Sequence, residues 1–581
     1  MCGFYFSNYS QTSEQLETCS NRIKHRGPDY TGVFIDQDIT AIHSRLAIVD
    51  LSDDSNQPYI FKNLVLVYNG ELYNTNELRQ DLQNDYDFVT NGDTEVLIYA
   101  YHKYGTDVVN RLHGMFSFVI YNKTDHCIFG ARDRLGQKPF YYSVRNKKIQ
   151  VSSVLSAIQL DEATLNEESL QYYLAAGHIH APYTIINQVH KLKPGHSFFF
   201  KPGDNTPLIK SYWDVSSKLK TADTKALIVD SIQRRCVSDV KSGSFLSGGL
   251  DSTLVSYYAS KKGLKDTITV SIADNKYNEY KFAKNYAHHL ELNSKEIGLP
   301  VSNIDWLLND FFTAFDEPFA DNSALSTLVL CKAAKKEFKM CLSGDGADEL
   351  FYGYNHHRYL SLVKPLFLIP KFIRKTINPF KKRSIYSEIF ELDNLKHFIV
   401  GIFTGFSPEL QELREKLITQ YIFCFDNSNS FRHALALFNA AYWLESDGNV
   451  KVDRASMFYG LEVRSPFMDH RLFEAANTLS DGKKRKFGKT KLPLRAIFNE
   501  LIPASMQMRG KKGFDIPIKE VIIALSSERV KTSVEESLFE YLSQYQKSFF
   551  KQHLENSEYD DRSAQVVWKY YVASIWLKEN L

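Results

Sequence analysis

"FLSGGLDSTLV" (residues 245–255) lies between a strand-like run, "GSFL", and a helix-forming run, "DSTLVSYYASKKG". Gly248 and Gly249 let the backbone come close to a ligand. The following helix offers unpaired N–H groups and the positive end of its dipole, a combination that holds an anion such as pyrophosphate. A glycine pair alone also suits a plain βα turn, so the surroundings decide. "LSGDGADE" (342–349) repeats the arrangement behind another short strand, "KMCL", and adds Asp345, Asp348 and Glu349 to Asp251. In a parallel sheet both loops fall at the carboxyl ends of strands, where open α/β folds bind ligands. Carboxylates there would repel phosphates unless a hard cation lay between them, and Mg²⁺ held by one or two aspartates plus phosphate oxygens removes the conflict.

Working outward, "TITVSIA" reads as a strand, "NEYKFAKNYAHHL" as a helix and "SALSTLVLCKAAKKEF" as a helix feeding "KMCL". Such alternation predicts a mainly parallel sheet with helices on both faces. From about residue 355 the pattern turns helical. Upstream the style differs. "TAIHSRLAIVDL", "NLVLVYNGELY", "MFSFVIYN" with "CIFGARD", and "KPFYYSVRNKKIQVSS" predict short strands and hairpins, with a helix over "DTEVLIYAYHKYG". The Pro- and Gly-rich stretch 192–215 marks a connection, which divides the chain into 2–210 and 211–581.

A chain of 581 residues is too long for one core and predicts two or three domains. A formal net charge of +2 lacks the basic footprint of a nucleic-acid binder. The seven cysteines are odd in number, scattered and without a CxxC pair, so neither a disulfide framework nor a structural zinc is expected, and a reducing, cytoplasmic setting fits. There is no signal peptide and no apolar run long enough to cross a bilayer. "VKPLFLIPKFIRKTINPFKKR" (363–383) joins an apolar patch to a basic cluster and could touch a membrane surface. Its internal prolines and short apolar run favour an ordinary pair of surface helices. His288–His289 read as part of a surface helix, and His356–His357 follow "FYGYN" without a stated role.

Cys2 is a spare thiol on position alone. It is followed by "KHRGPDYTG" (24–32), "HSRLAIVD" (43–50), "YNGELYN" (68–74), "NGDTE" (91–95) and "ARDRLGQKPFYY" (131–142). These motifs resemble the class II glutamine amidotransferase domain. "SGGLDS" resembles the pyrophosphate loop of the ATP-pyrophosphatase fold. In this order, with "KVDRASMFYGLEVRSPFMD" (451–469) downstream, they are similar to the glutamine-hydrolysing asparagine synthetases of the bacterial B type, over most of the chain to about residue 520.

The resemblance implies an α+β, Ntn-hydrolase-type glutaminase domain of stacked antiparallel sheets. It joins an α/β parallel-sheet ATP-pyrophosphatase domain with a helical C-terminal part. Removal of Met1 would leave Cys2 with its own α-amino group, whose reference pKa of about 7.7–8 suits a general base; the thiolate is the attacking form. Asn69 and Gly70 are implied as the oxyanion hole, a site that needs preorganised donors. Arg45, Ile48, Asn69, Glu71 and Asp93 are implied to bind glutamine. In the second half the resemblance implies ATP, Mg²⁺ and aspartate. Leu246, Ser247, Gly248, Gly249, Asp251, Ser252, Ser271, Ser343 and Gly344 would bind nucleotide or pyrophosphate, and Asp251 and Asp348 the metal. Lys511, or its neighbour Lys512, would neutralise phosphate charge. Homodimerisation is a family expectation, and neither a membrane nor a nucleic-acid partner is implied.

Asp345 stands where the best-known bacterial enzymes carry glutamate, so its proposed part in ammonia transfer is taken by an acid one methylene shorter. The same two-domain arrangement could amidate another carboxylate, such as a sugar acid or a natural-product precursor. "DEPFADNSALS" (316–326) and the helical third region are expected to shape the acceptor pocket. A non-catalytic homologue would lose Cys2 and the loop aspartates, and this sequence keeps them.

Overall fold

The computed structural model describes residues 2–219, 223–271, 279–298, 304–379, 385–507, 518–558 and 560–581. Strand β1 (Gly3–Ser7, "GFYFS") is buried along its whole length, so both of its faces meet apolar layers. Phe4 and Phe6 enter one core and Tyr5 the other, as the two-residue period of a strand requires. β1 lies inside a six-stranded antiparallel sheet with β2 (Tyr30–Ile35), β3 (Thr40–Arg45), β8 (Tyr141–Arg145), β9 (Lys148–Ser152) and β10 (His190–Lys191). A second antiparallel sheet holds β4 (Tyr59–Phe61), β5 (Leu64–Leu72), β6 (Gly114–Asn122), β7 (Ile128–Arg132), β11 (His196–Phe200) and β12 (Leu208–Ser211).

Between the sheets Phe4, Phe6, Val65, Val67, Val119, Phe140 and Phe198 form the central core. The outer face of the first sheet is covered by the helix Ser13–Lys24, packed through Cys19 and Ile23. The outer face of the second carries the helices Thr75–Leu82 and Asp93–Tyr104. The layer order is helix, sheet, sheet, helix, the antiparallel arrangement expected of this half. β12 pairs with β11, so this half of the fold runs a residue past 210.

The second half is built on five parallel strands in the order β15–β14–β13–β16–β17: Asn293–Gly298, Asp266–Ser271, Ser242–Phe245, Met340–Leu342 and Glu462–Arg464. The expected helices after β13 and before β16 are present at Leu250–Ser260 and Ser323–Lys335. β17 was not foreseen. It is a three-residue strand inside a mostly helical segment, too short to show a period of its own.

The halves meet across buried ion pairs. Arg26 grips Asp453 through both guanidinium ends at 2.8 and 2.9 Å, Arg132 reaches Glu445 at 2.9 Å, and Arg464 reaches Glu71 at 3.0 Å. Burial alone would raise the Asp453 carboxyl, but Arg26 and Lys138 hold it well below the usual carboxylate range. Its contribution to stability is therefore complete above the unfolded-state value of about 3.9 and is lost as pH falls below it. Arg26→Met strands a buried carboxylate and is expected to cost about 3 kcal/mol, read from the midpoint of urea unfolding. Lys138, at 3.4 Å from Asp453, keeps the loss near the low end.

Among the described residues no helix is long and apolar enough to cross a membrane. The stretch expected as surface helices contains the helix Lys371–Thr376 and leaves Leu368 and Phe372 widely exposed.

Candidate active site

Cys2 directly precedes β1 and lies against β5, the strand that carries Asn69, Gly70 and Glu71. Its backbone N–H donates to Asn69 Oδ1 at 2.9 Å. Asn69 Nδ2 is buried with no partner, a donor held ready beside the thiol. In the interior such an orphan is costly unless a ligand satisfies it. Burial pushes the Cys2 thiol up, against the lowering pull of the Leu46 N–H and Arg45. A thiol kept protonated in this way needs a base beside it.

The glutamine-binding candidates surround this point. Arg45 ends β3, and its guanidinium is held by the carbonyl of Asp50, the carbonyl of Ser52 at 2.7 Å and Asn56 Oδ1 at 2.9 Å. Burial would raise the Asp50 carboxyl, but Ser52 and the Asn91 N–H hold it down at about 2. Asp93 opens the helix Asp93–Tyr104 and accepts from Tyr68 Oη at 2.7 Å and the Leu72 N–H at 2.9 Å. Burial raises the Asp93 carboxyl and raises that of Glu71 strongly, a cost that an ammonium group bound between them would offset. Ile48 is buried at the domain boundary, where its carbonyl accepts from the Asp239 N–H at 2.9 Å.

Two residues of β17 enter this site, and sequence reading passed over both. Arg464 lies 3.0 Å from Glu71 and 2.5 Å from Glu462, and its other nitrogen donates to the Val237 carbonyl at 2.6 Å. Burial works against the charge of Glu462, but Arg464 overcomes it and holds the carboxyl at about 2. The same strand adjoins the second site, since the Ser343 N–H donates to the Arg464 carbonyl at 2.9 Å and Ser343 and Ser465 share a hydroxyl bond of 2.8 Å.

The two glycine loops do meet. A Cβ on Gly344 would come within 3.0 Å of the Ser252 nitrogen and 3.1 Å of Asp251 Cβ, so only glycine lets the second loop lie on the first turn of the helix Leu250–Ser260. That helix has no side-chain cap, which leaves its first N–H groups for an anion. Ser247 Oγ and Ser252 Oγ are 3.0 Å apart across the turn, and the Leu246 N–H bonds to the Ile268 carbonyl, fixing the loop to the sheet. Ser271 ends β14 by backbone pairing with Gly298; its side chain falls outside the described residues. Asp345 is exposed at the loop tip.

Lys491 was not foreseen. Its Nζ lies 2.6 Å from Asp251 and 2.7 Å from Asp348, joining the two aspartates expected to hold Mg²⁺. Burial opposes its charge, but the two carboxylates overcome this and keep it protonated. Its N–H is tied to the Phe351 carbonyl at 3.1 Å, and it precedes the helix Leu492–Leu501 in a left-handed conformation. Gly353 leaves room for the trio, because a Cβ there would overlap Asp348 Oδ1 and Lys491 Cε. Lys511 and Lys512 lie outside the described residues. Asp251 Oδ1 is buried without a partner, and with Asp348 it makes an oxygen donor set suited to a hard cation.

Near these loops, the 316–326 segment meets the helical region. Asp321 Oδ2 and Ser323 Oγ lie 2.7 and 2.8 Å from Lys451 Nζ. Burial alone would raise Asp321, but Lys451 holds it at about 2. Tyr354 Oη donates to Glu349 at 2.6 Å, and burial with the nearby Asp348 raises Glu349 to about 7.

Two family models match the chain: a glutamine amidotransferase domain over residues 1–213 and asparagine synthase over residues 223–578. A Bacillus subtilis protein named glutamine-hydrolysing asparagine synthetase 1 is 30% identical, covering 100% of this chain and 97% of its own. A Methanocaldococcus jannaschii protein named putative glutamine-hydrolysing asparagine synthetase 2 is 30% identical over 78% of this chain and 96% of its own. Among solved structures, a glutamine phosphoribosylpyrophosphate amidotransferase from B. subtilis aligns with a TM-score of 0.28 and 14% identity, covering 51% of this chain and 65% of that one.

Proposed function

The chain belongs to the asparagine synthase family, and on that premise we propose that it is a glutamine-dependent asparagine synthetase whose amide nitrogen comes from glutamine hydrolysed at Cys2. The observation that carries the first half is the unpartnered Asn69 Nδ2 held beside Cys2 by the bond between Asn69 Oδ1 and the Cys2 N–H.

Glutamine's carboxylate pairs with Arg45 and its ammonium with Glu71 and Asp93. The α-amino group of Cys2 takes the thiol proton as sulfur attacks the amide carbon. Negative charge on the former carbonyl oxygen is met by Asn69 Nδ2 and the Gly70 N–H, where preorganised donors act most strongly. The amine returns its proton to the leaving ammonia, and water then cleaves the thioester to glutamate. The mature chain accordingly begins at Cys2, and the intact mass of active protein should lack one methionine residue. Active protein that retains Met1 would contradict the mechanism.

Ammonia has to cross the domain boundary. Two small, partly open cavities there, of about 20 and 10 Å³, share Tyr141, Val450 and Arg454. Each is of the order needed for one water-sized molecule.

In the second site the aspartate side-chain carboxylate attacks the α-phosphorus of ATP, and pyrophosphate leaves. The loop N–H groups, Ser247, Ser252 and Lys491 balance the charge on the leaving group. Asp251 and Asp348 would hold Mg²⁺, which neutralises phosphate oxygens when bound. Ammonia then attacks the acyl carbon and AMP departs; we assign Asp345 to accept the proton released. For the acceptor we read Lys451, with Asp321 and Ser323, as the polar groups that meet aspartate's own carboxylate and ammonium. A panel of carboxylates assayed for AMP release with glutamine and ATP tests this reading. Aspartate should give the highest rate, and a sugar acid that works where aspartate fails would overturn it. A cytoplasmic location and a homodimer are further expectations, read by fractionation and by mass in solution.

A further inference from the structure

Behind the loop 342–349, a group of cations stands without counter-charges. Tyr352 is stacked on His357 with ring centroids 4.5 Å apart, and Lys484 Nζ lies 4.5 Å from the same ring. Arg432 donates to Ser361 on the helix His356–Val363, which also carries His357 and Arg358, and Arg485 follows Lys484 in the chain, so three segments bring these cations to one place. No carboxylate of the described residues is within 4.0 Å of Arg358, Arg432, Lys484 or Arg485. Other buried cations are satisfied, Arg26, Arg235 and Lys491 by carboxylates and Arg374, Arg414 and Lys569 by backbone carbonyls. The acid nearest to Lys484, Asp481, is already engaged: it accepts from Tyr352 Oη at 3.0 Å and Ser430 Oγ at 2.9 Å.

The donors are unpaired as well as the charges. His357 is fully buried and neither of its ring nitrogens has a partner. Arg432 Nε, Arg485 Nη1 and His356 Nε2 are also shielded and unbonded. Arg432 is steadied by donating to Ser361 Oγ. Burial pushes Lys484 down to about 7, a burden that an anion beside it would relieve. Buried polar groups are normally bonded, so several orphaned donors from three segments imply a missing acceptor.

We propose that Arg358, Arg432 and Arg485, with Lys484 and His357 at the inner end, form a second anion site for a tetrahedral phosphate-type oxyanion, separate from the nucleotide loops. Planar guanidinium forks match phosphate oxygens, and several donors from different segments suit a multiply charged anion better than chloride or nitrate. The occupant joins the stretch after "FYGYN" to the stretch 484–485, from which the chain runs on to Lys491.

Inorganic phosphate is titrated calorimetrically into the full chain, at constant ionic strength, with sodium nitrate as the control anion. Arg432→Gln and Arg485→Gln should each weaken phosphate binding by about tenfold, with ammonia-dependent synthesis at saturating substrate unchanged. AMP and pyrophosphate added as competitors identify whether free phosphate or a phosphate group of a larger molecule is the better occupant. A phosphate affinity equal in wild type and both variants, or matched by nitrate, overturns the proposal. Should either buried-side variant fold poorly, Arg358→Gln, on the exposed rim, must show the same loss of phosphate affinity or the site is rejected.

Discussion

Cys2→Ala is expected to abolish glutamine hydrolysis, by on the order of 10⁴-fold or more, while synthesis driven by added ammonium continues near the wild-type rate. Alanine removes only the sulfur. The backbone N–H that meets Asn69 Oδ1 remains, and so do Arg45 and Asp93 with their own anchors. Glutamine should still bind, and the loss should appear in turnover and not in glutamine affinity. Nothing in the second site depends on the sulfur, since Ser343, Asp251, Asp348 and Lys491 are positioned by β16, β17 and the helix Leu250–Ser260. Measuring glutamate release and AMP formation with each nitrogen donor separates the cases. Glutaminase activity surviving in the variant would remove Cys2 from its role, and loss of the ammonium-driven rate would show that the two sites are not separable in this way.

The parts of the site that could be read in sequence are those in which chemistry and local geometry share a few consecutive residues. "YNGELYN" carries the proposed oxyanion donors and the proposed ammonium partner on one strand, and "SGGLDS" carries its turn and helix start together. Arg464 and Glu462 escaped because a three-residue strand has no period to detect, and because their partner Glu71 is distant in the chain. Lys491 escaped for a different reason, and the expectation for Lys511 lies outside the described residues. Lysines crowd positions 483–491 and 511–512, and residue type cannot say which ammonium reaches the aspartates. One local signal was available: "KTKLP" sets Lys491 at the start of a helix whose first turn holds Pro493, a point where the chain changes direction. The helical third region was read as helical without its packing, because helix-to-helix pairing depends on side chains from several segments at once.

Lys491→Met is expected to reduce AMP formation by about 10²–10³-fold with either nitrogen source, leaving glutamine hydrolysis intact. Methionine keeps most of the stem's apolar volume and removes the charge. What is lost is a cation fixed 2.6 Å from Asp251 and 2.7 Å from Asp348, beside the loops proposed to present N–H groups to pyrophosphate. Pyrophosphate gains charge as the α-phosphorus bond breaks, so a nearby ammonium stabilises the transition state more than the bound substrate. The two aspartates provide a second readout. With Lys491 gone they form an uncompensated acidic pair, so Mn²⁺ used as a probe should bind the nucleotide-free variant more tightly than wild type. A purely structural lysine would give a stability loss without that gain in cation affinity. If Lys491→Met synthesises normally while Lys511→Met does not, the phosphate-neutralising lysine belongs to the 508–517 segment, and the Lys491 ammonium serves only to hold the two aspartates apart from each other in the resting protein.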